Sequence, residues 1–173
     1  MVARISVGAT KDDVLRVSAE NPGWRVELEP DGTLVMSPPA GSASGVRNAA
    51  LTAKMRAWGE AHGYVAGDAS CGVSLPDGSV VAPDTILIAK HRWRQLSLKQ
   101  REGFAPLAPD VAIELVSKTD RPAETRRRLC SLRLQGTPFV VMVDPYRDEV
   151  WTDGVAPSDF PTDFADVIHA ADV

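Results

Sequence analysis

The sequence has few of the residues on which disulfide, zinc or membrane chemistry depends. Of its 173 residues only two are cysteine and three are histidine. Cys71 and Cys130 form no C-x-x-C pair, so neither a disulfide framework nor a zinc site is expected, and a reducing cytoplasm suits both thiols. The longest apolar runs, 85–89 and 139–143, are far shorter than the roughly 20 residues of a membrane helix. The first residues carry no apolar stretch typical of an export signal.

An excess of positive charge is also lacking. The chain has 19 lysines and arginines against 23 aspartates and glutamates, a formal net charge of -4. Tight binding to nucleic acid through the overall field is therefore not expected, and any such contact needs a local patch. One segment supplies six positive charges within sixteen residues: Lys118, Arg121, Arg126, Arg127, Arg128 and Arg133. A solvated helix face is the alternative interpretation of that segment.

Length and composition predict a single domain. The hydrophobic fraction of 44% and the charged fraction of 24% are close to the averages of soluble globular proteins. We expect one domain over 1–173, with a core at about 21–152. An N-terminal helix is predicted over 10–20, where Thr10 and Asp13 form a capping pattern. The tail at 156–173 is poorly patterned.

The order of predicted elements indicates an α/β fold. A β-hairpin near the N-terminus is followed by a long helix at 44–62, in which Leu51, Met55 and Trp58 should face a sheet. Further strands then alternate with shorter helices, which favours a mixed central β-sheet flanked by helices. The expected strands are 24–28, 33–36, 73–75, 80–89, 111–116, 139–143 and 149–152, and the later helices are 91–102 and 124–135.

Two acidic residues lie inside otherwise apolar strands. Asp84 is in the strand 80–89, and Glu114 is in the strand 111–116, where alternation places it on the face opposite Ile113 and Leu115. A carboxylate among such neighbours is costly unless something compensates it. A salt bridge, a position at the wet end of the sheet or a divalent cation would do so. Magnesium and manganese are the ions that prefer such oxygen ligands.

The residues around these two acids resemble a known nuclease family. Pro83 and Asp84, then about thirty residues, then Glu114 follow the pattern of the PD-(D/E)xK nuclease superfamily. More closely, the chain resembles the Uma-two family of restriction-endonuclease-like proteins from about residue 21 to 151. The segments that carry this resemblance are 26–28, 31–32, 36–38, 45–49, 75–78, 82–84, 92–93, 103–110, 113–115, 117–120, 136–138 and 143–145.

This resemblance implies a restriction-endonuclease-like core in which Asp84 and Glu114 hold Mg²⁺ or Mn²⁺. The cation would polarise the scissile phosphate and lower the pKa of an attacking water. Glu27 matches a glutamate of the family's first hairpin and would add a carboxylate to the metal. An exposed hairpin glutamate is the alternative interpretation of Glu27.

The chain departs from the family at the lysine that completes the site. In the superfamily pattern the lysine follows the glutamate by two residues, where this chain has Val116. Uma-two proteins place it fourteen residues after the glutamate, where this chain has Arg128, which keeps the charge but cannot plausibly act as a base. Lys118 is the other candidate, although four strand residues separate it from Glu114 by about 13 Å.

Two functional hypotheses remain open. The first is a metal-dependent endonuclease that hydrolyses phosphodiester bonds of DNA, with Asp84, Glu114 and either Arg128 or Lys118 at its catalytic centre. The second is a catalytically silenced nuclease fold that binds nucleic acid or protein. The two acids favour the first hypothesis, whereas the arginine and the negative net charge favour the second. A homodimer is expected because cutting two strands needs two sites.

Overall fold

The computed structural model describes residues 2–172 and is built around a mixed five-stranded sheet, as the sequence predicts. Its strand order is β10-β9-β8-β7-β4, in which β8 and β9 are parallel and the other neighbours are antiparallel. These central strands are β4 (Tyr64–Asp68), β7 (Thr85–Ala89), β8 (Val111–Leu115), β9 (Phe139–Asp144) and β10 (Glu149–Gly154). The buried strands β7, β8 and β9 are rich in valine, isoleucine and leucine, as strands covered on both faces usually are.

Helices cover both faces of this central sheet. The helices are α1 (Lys11–Glu20), α2 (Ser42–His62), α3 (Lys90–Gln95), α4 (Leu98–Glu102), α5 (Pro122–Leu134) and α6 (Ala165–Ile168). The predicted N-terminal helix is confirmed with its capping box between Thr10 and Asp13. The long helix α2 ends at Gly63, which adopts the left-handed conformation with φ 81° that favours glycine at a helix end.

The predicted N-terminal hairpin belongs to a second five-stranded sheet with the order β1-β3-β2-β6-β5. Its strands are β1 (Ala3–Ser6), β2 (Arg25–Leu28), β3 (Thr33–Ser37), β5 (Val73–Ser74) and β6 (Val80–Val81). The prediction of one continuous strand over 80–89 is wrong. The chain leaves this second sheet after Val81 and enters the central sheet at Thr85, because Pro83 has no N–H with which to continue a ladder.

The hydrophobic core has two main layers, one on each face of the central sheet. One layer joins α2 to the sheet through fully buried Leu51 and Met55. The other joins α5 to the sheet through Leu129 and Leu132. Trp58, which was expected to be largely buried, is only half-buried at the edge of the first layer, where its indole N–H donates to the carbonyl of Asp159 at 2.8 Å.

The C-terminal segment also belongs to this core, although its sequence is poorly patterned. Four of its side chains are buried in the layer between α2 and the sheet: Phe160, Phe164, Val167 and Ile168. Arg47 of α2 holds the segment by donating to the carbonyl of Ile168 at 2.8 Å and to the carboxylate of Asp172 at 3.0 Å. Within residues 2–172, no helix is long and apolar enough to cross a lipid bilayer.

Candidate active site

The antiparallel pairing of β7 with β8 brings Asp84 and Glu114 together. Thr85 lies opposite Ile113 in this ladder, so the next pair along it is Asp84 and Glu114. The Oδ2 atom of Asp84 accepts a hydrogen bond of 2.9 Å from the backbone N–H of Leu115. Both side chains are buried, with exposed fractions of 8% for Asp84 and 4% for Glu114. The two acids therefore form a buried pair at the end of the β7–β8 ladder, between two interior strands of the central sheet.

The second sheet delivers another carboxylate to the same place. Strand β2 pairs with β6 through Leu28 and Val80. Because of this pairing, Glu27 lies next to the segment in which the chain crosses from the second sheet to the central sheet. Glu27 is buried, and its Oε1 accepts a hydrogen bond of 2.9 Å from the backbone N–H of Ala82. The interpretation of Glu27 as an exposed hairpin residue is therefore wrong.

Arg128 extends from α5 to these carboxylates. Its Nη2 lies 3.2 Å from Oε1 of Glu27 and 3.2 Å from Oε1 of Glu114. Glu124, one helical turn earlier, instead forms an ion pair of 3.5 Å with Arg121. Arg128 thus occupies the cationic position of the cluster, while about half of its side chain is exposed to solvent.

Arg25 is a second cation in the cluster, and the sequence analysis missed it. Its Nη1 donates to Oδ1 of Asp84 at 3.3 Å and to the carbonyl of Ala82 at 3.2 Å. Its Nε lies 3.8 Å from Oε2 of Glu27. The only signal in the sequence was its position two residues before Glu27, which puts both side chains on one face of β2.

Burial dominates the electrostatics of the acidic pair. Desolvation raises the pKa of Glu114 to about 7, because the attraction of Arg128 only partly offsets it and the neighbouring Asp84 adds to it. Desolvation likewise raises the pKa of Asp84 against the attraction of Arg25. Glu114 and then Glu27 raise the pKa of Arg128, which stays charged. The cluster therefore combines a permanent cation with acids whose ionised forms are incompletely compensated.

The donor set fits a magnesium or manganese ion held by few protein ligands. Oε1 of Glu114 is buried, and its contact of 3.2 Å with Nη2 of Arg128 lacks the geometry of a hydrogen bond, so this oxygen accepts no hydrogen bond from the described residues. In residues 2–172 no three histidine, cysteine or acidic side chains are arranged to enclose a metal. Magnesium commonly binds through only one or two carboxylates, completed by water and phosphate oxygens. Asp84 and Glu114 are the residues that fit this kind of site.

An open cleft of about 570 Å³ gives solvent access to Asp84. It runs between α2 and the turn after β4, so the long helix packs beside Asp84. Small and polar side chains dominate its lining, which consists of Asn48, Ala49, Thr52, Ala53, Arg56, Asp68, Ala69, Ser70 and Asp84. The cleft therefore reaches Asp84 from the side of α2.

Lys118 does not reach the carboxylates. It is exposed in the loop after β8, where it lines a separate cleft with Tyr146 and Arg147. No ion pair joins it to Asp84 or Glu114 in the part of the chain that the structure describes. The structure thus separates the two candidate cations, with Arg128 inside the acidic cluster and Lys118 outside it.

Most of the positive side chains in the basic segment at 118–133 form ion pairs with acidic side chains. Arg126 pairs with Glu149, and Arg133 lies 3.3 Å from Asp153. With Arg121 and Arg128 already paired, the segment is not a continuous cationic surface. Its net attraction for a nucleic acid is therefore smaller than the sequence alone suggests.

Comparisons with known proteins agree with this architecture. No curated protein matches the chain significantly. A crystal structure described as a putative nuclease belonging to DUF820, from Anabaena variabilis, matches with a TM-score of 0.68 at 16% identity. That match covers 94% of this chain and 98% of the other, which shows the same fold. The family model described as "Uma2: Putative restriction endonuclease" matches residues 12–152. The resemblance found in the sequence is therefore confirmed, and the chain belongs to the Uma2 family.

Proposed function

We propose that this protein is a metal-dependent endonuclease that hydrolyses phosphodiester bonds of DNA with Mg²⁺ or Mn²⁺. The observation that carries the proposal is the buried pair of Asp84 and Glu114 at the end of the β7–β8 ladder. Two adjacent buried carboxylates destabilise the fold unless a cation compensates them, so a ligand site explains them better than a structural role. Membership of the Uma2 family supports the same reaction class.

In this proposal Asp84 and Glu114 hold the ion, and Glu27 lies beside them as a carboxylate that binds Arg128. When bound, the divalent ion supplies Lewis-acid polarisation of the phosphate and lowers the pKa of the attacking water. The backbone N–H of Leu115 fixes the carboxylate of Asp84, and that of Ala82 fixes Glu27. These hydrogen bonds hold the oxygens in place before a ligand arrives.

Arg128 contributes charge stabilisation. Its guanidinium offers several N–H donors, so it can contact a phosphate oxygen while remaining near Glu114. Because its pKa is raised, it stays protonated and donates hydrogen bonds but accepts no proton. Its role is therefore to stabilise the negative charge that builds on the phosphate in the transition state.

A catalytically silenced nuclease fold that binds nucleic acid or protein is the second candidate. The observation that favours it is the pair of ion contacts from Arg25 to Asp84 and from Arg128 to Glu114. Two arginines already compensate part of the acidic charge. A protein whose arginines have replaced the metal would keep this arrangement without cleaving anything.

Cleavage assays with matched variants test the proposal. We expect the wild type to cleave DNA when Mg²⁺ or Mn²⁺ is present, and Asp84→Ala or Glu114→Ala to abolish cleavage. Glu102→Ala, which removes an exposed glutamate of α4, is the control and should cleave like the wild type. Calorimetric titration with Mn²⁺ gives a second measurement, in which the two site variants should lose binding. Full cleavage by Asp84→Ala would overturn the proposal.

We also propose that the protein forms a homodimer and acts in the cytoplasm. A homodimer would supply the two active sites that double-strand cleavage needs, and light scattering at micromolar concentration tests this expectation. We place the activity in the cytoplasm, where the free thiols of Cys71 and Cys130 would persist.

A further inference from the structure

The loops after β8 and β9 enclose an open cleft of about 330 Å³ beside the acidic cluster. Six residues line it: Val116, Ser117, Lys118, Asp120, Tyr146 and Arg147. The strands β8 and β9 are the parallel pair of the central sheet, and ligands of α/β proteins commonly bind beyond the carboxyl ends of parallel strands. The cleft is therefore at a position where this kind of fold binds ligands.

The cleft adjoins the proposed catalytic centre. Val116 follows Glu114 by two residues, which corresponds to about 7 Å along an extended chain. Asp120, which also lines the cleft, is near enough to Arg128 to contribute to the raised pKa of that arginine. A nucleotide in the cleft would therefore lie next to a phosphate held at Asp84 and Glu114.

Tyr146 presents an aromatic ring at the mouth of the cleft. Its ring is 45% exposed, and the guanidinium of the largely buried Arg47 lies over it at 5.6 Å from the centroid. One face of the ring is thus covered by a cation, and the exposed remainder is available to a ligand. Exposed aromatic rings are the usual platforms on which unpaired bases stack.

Two cations flank the ring. Lys118 is exposed, and no partner for its ammonium group is found in residues 2–172. Arg147 donates from Nη1 to Oδ2 of Asp144 at 2.9 Å, while more than half of its side chain remains exposed. The single acidic side chain of the lining, Asp120, accepts a hydrogen bond from the N–H of Ser117. The cleft thus carries two positive charges and one negative charge.

A buried carboxylate organises this turn. Asp144 is fully buried, and it accepts hydrogen bonds from the backbone N–H of Tyr146 at 2.9 Å and from Arg147. Burying a carboxylate costs free energy. Because Asp144 is buried and binds two exposed residues, we infer that the positions of Tyr146 and Arg147 are important for function. The backbone of Tyr146 and the guanidinium of Arg147 are therefore held in place before a ligand binds.

We propose that this cleft is a nucleotide subsite in which an unpaired base stacks on Tyr146 while Lys118 and Arg147 contact its phosphates. The subsite rests on the proposed nuclease function and specifies its substrate as a strand with at least one unpaired nucleotide. It also gives Lys118 a role in binding the substrate, which its distance from the carboxylates permits.

Fluorescence anisotropy with labelled single-stranded and duplex DNA tests the subsite, in buffer with EDTA so that no strand is cut. We expect Tyr146→Ala to weaken single-strand binding by about tenfold or more, and Tyr146→Phe to bind like the wild type. Trp24→Ala removes an exposed aromatic ring elsewhere and is the matched control. Equal binding by Tyr146→Ala and the wild type, or equal losses in Tyr146→Ala and Tyr146→Phe, would overturn the subsite.

Salt dependence tests the two cations separately. In Lys118→Gln, the slope of log affinity against log salt should fall by about one, because one phosphate contact is lost. Lys99→Gln, which replaces an exposed lysine of α4, should leave the slope unchanged. An unchanged slope in Lys118→Gln would remove this lysine from the subsite. Cleavage with Mn²⁺ is measured in parallel: loss of binding in Tyr146→Ala without any cleavage by the wild type would keep the subsite and reject the nuclease.

Discussion

Arg128 and Glu114 form an ion pair across the gap between α5 and β8, with 3.2 Å between Nη2 and Oε1. The same nitrogen lies equally close to Glu27, so one guanidinium joins a helix to both sheets. A lysine at this position would carry the same charge on a compact, rotatable ammonium group. The arginine therefore keeps the charge that a lysine would carry while changing the geometry of its donors.

Substitution of Arg128 distinguishes the active enzyme from the silenced fold. In an active enzyme, Arg128→Lys should maintain or raise the rate of DNA cleavage with Mn²⁺. Arg128→Ala should lower the rate by at least tenfold, equivalent to about 1.4 kcal/mol of barrier. Arg127→Ala, on the exposed side of the same helix turn, is the control and should leave the rate unchanged.

Two outcomes of this experiment would change the conclusion. Activity that arises only in Arg128→Lys would identify the wild type as a silenced nuclease. If neither the wild type nor Arg128→Lys cleaves DNA or RNA with either metal, the enzyme proposal should be abandoned.

Local patterns in the sequence were sufficient to place the acids but not to find every partner. Strand alternation puts Glu114 on the face that carries α5, whereas Arg128 was identified through the family resemblance, fourteen residues after Glu114. Arg25 was missed because alternating charges such as Arg25 and Glu27 are typical of a solvent-exposed strand face. This face of β2 is buried only because the chain crosses nearby from the second sheet to the central sheet. Such a crossing depends on contacts between residues that are distant in sequence.

The same limit explains the errors in the fold. The strands β1 and β4 were not predicted, since each is short and forms an edge that pairs only with distant segments. The C-terminal segment looked weakly patterned because its four buried side chains, two phenylalanines with Val167 and Ile168, are spread over turns and one short helix. Trp58 was expected inside because helical periodicity identifies a face but does not show where the sheet beneath it ends.

Glu114 should make the stability of the metal-free protein depend on pH. Its pKa is about 7 in the folded chain against 4.5 for an ordinary glutamate. The folded state therefore retains a proton that the unfolded state releases, and the resulting stabilisation is present below about pH 4.5 and lost as the pH rises through 7. Relative to Glu114→Gln, the wild type should lose on the order of a few kcal/mol of unfolding free energy over this range.

Urea denaturation in EDTA at pH 5 and pH 8 measures this difference. Glu102→Gln, which neutralises an exposed glutamate, controls for the change in net charge. A wild type that kept or gained stability relative to Glu114→Gln between pH 5 and pH 8 would contradict the expected direction.

Phe164→Ala tests whether the C-terminal segment is part of the core. Phe164 is 2% exposed and packs between α2 and the sheet. Its truncation should therefore lower the free energy of unfolding by about 3 to 5 kcal/mol, as for other buried phenylalanines. Leu134→Ala, at a side chain that is 87% exposed, should change it by less than about 0.5 kcal/mol. A small effect of Phe164→Ala in denaturant titrations would show that the segment contributes little.

Arg25 should compete with a metal ion for Asp84. Its guanidinium lies 3.3 Å from Oδ1 of Asp84, so a divalent cation at that oxygen must work against the positive charge. We expect Arg25→Gln to lower the unfolding free energy in EDTA by about 1 to 3 kcal/mol, because a buried carboxylate loses a partner. The same variant should bind Mn²⁺ about tenfold more tightly, a gain of about 1.4 kcal/mol in calorimetric titration.

The matched control for this experiment lies at the other end of β7. Arg92 pairs with Asp110 at 2.8 Å, in a contact of similar burial that is remote from the acidic cluster. Arg92→Gln should therefore also destabilise the protein but leave Mn²⁺ affinity unchanged. Weaker Mn²⁺ binding by Arg25→Gln would contradict this expectation. It would show that Arg25 holds the carboxylate of Asp84 in the position that binds the metal, and that losing this contact outweighs the removal of charge repulsion between Arg25 and the ion.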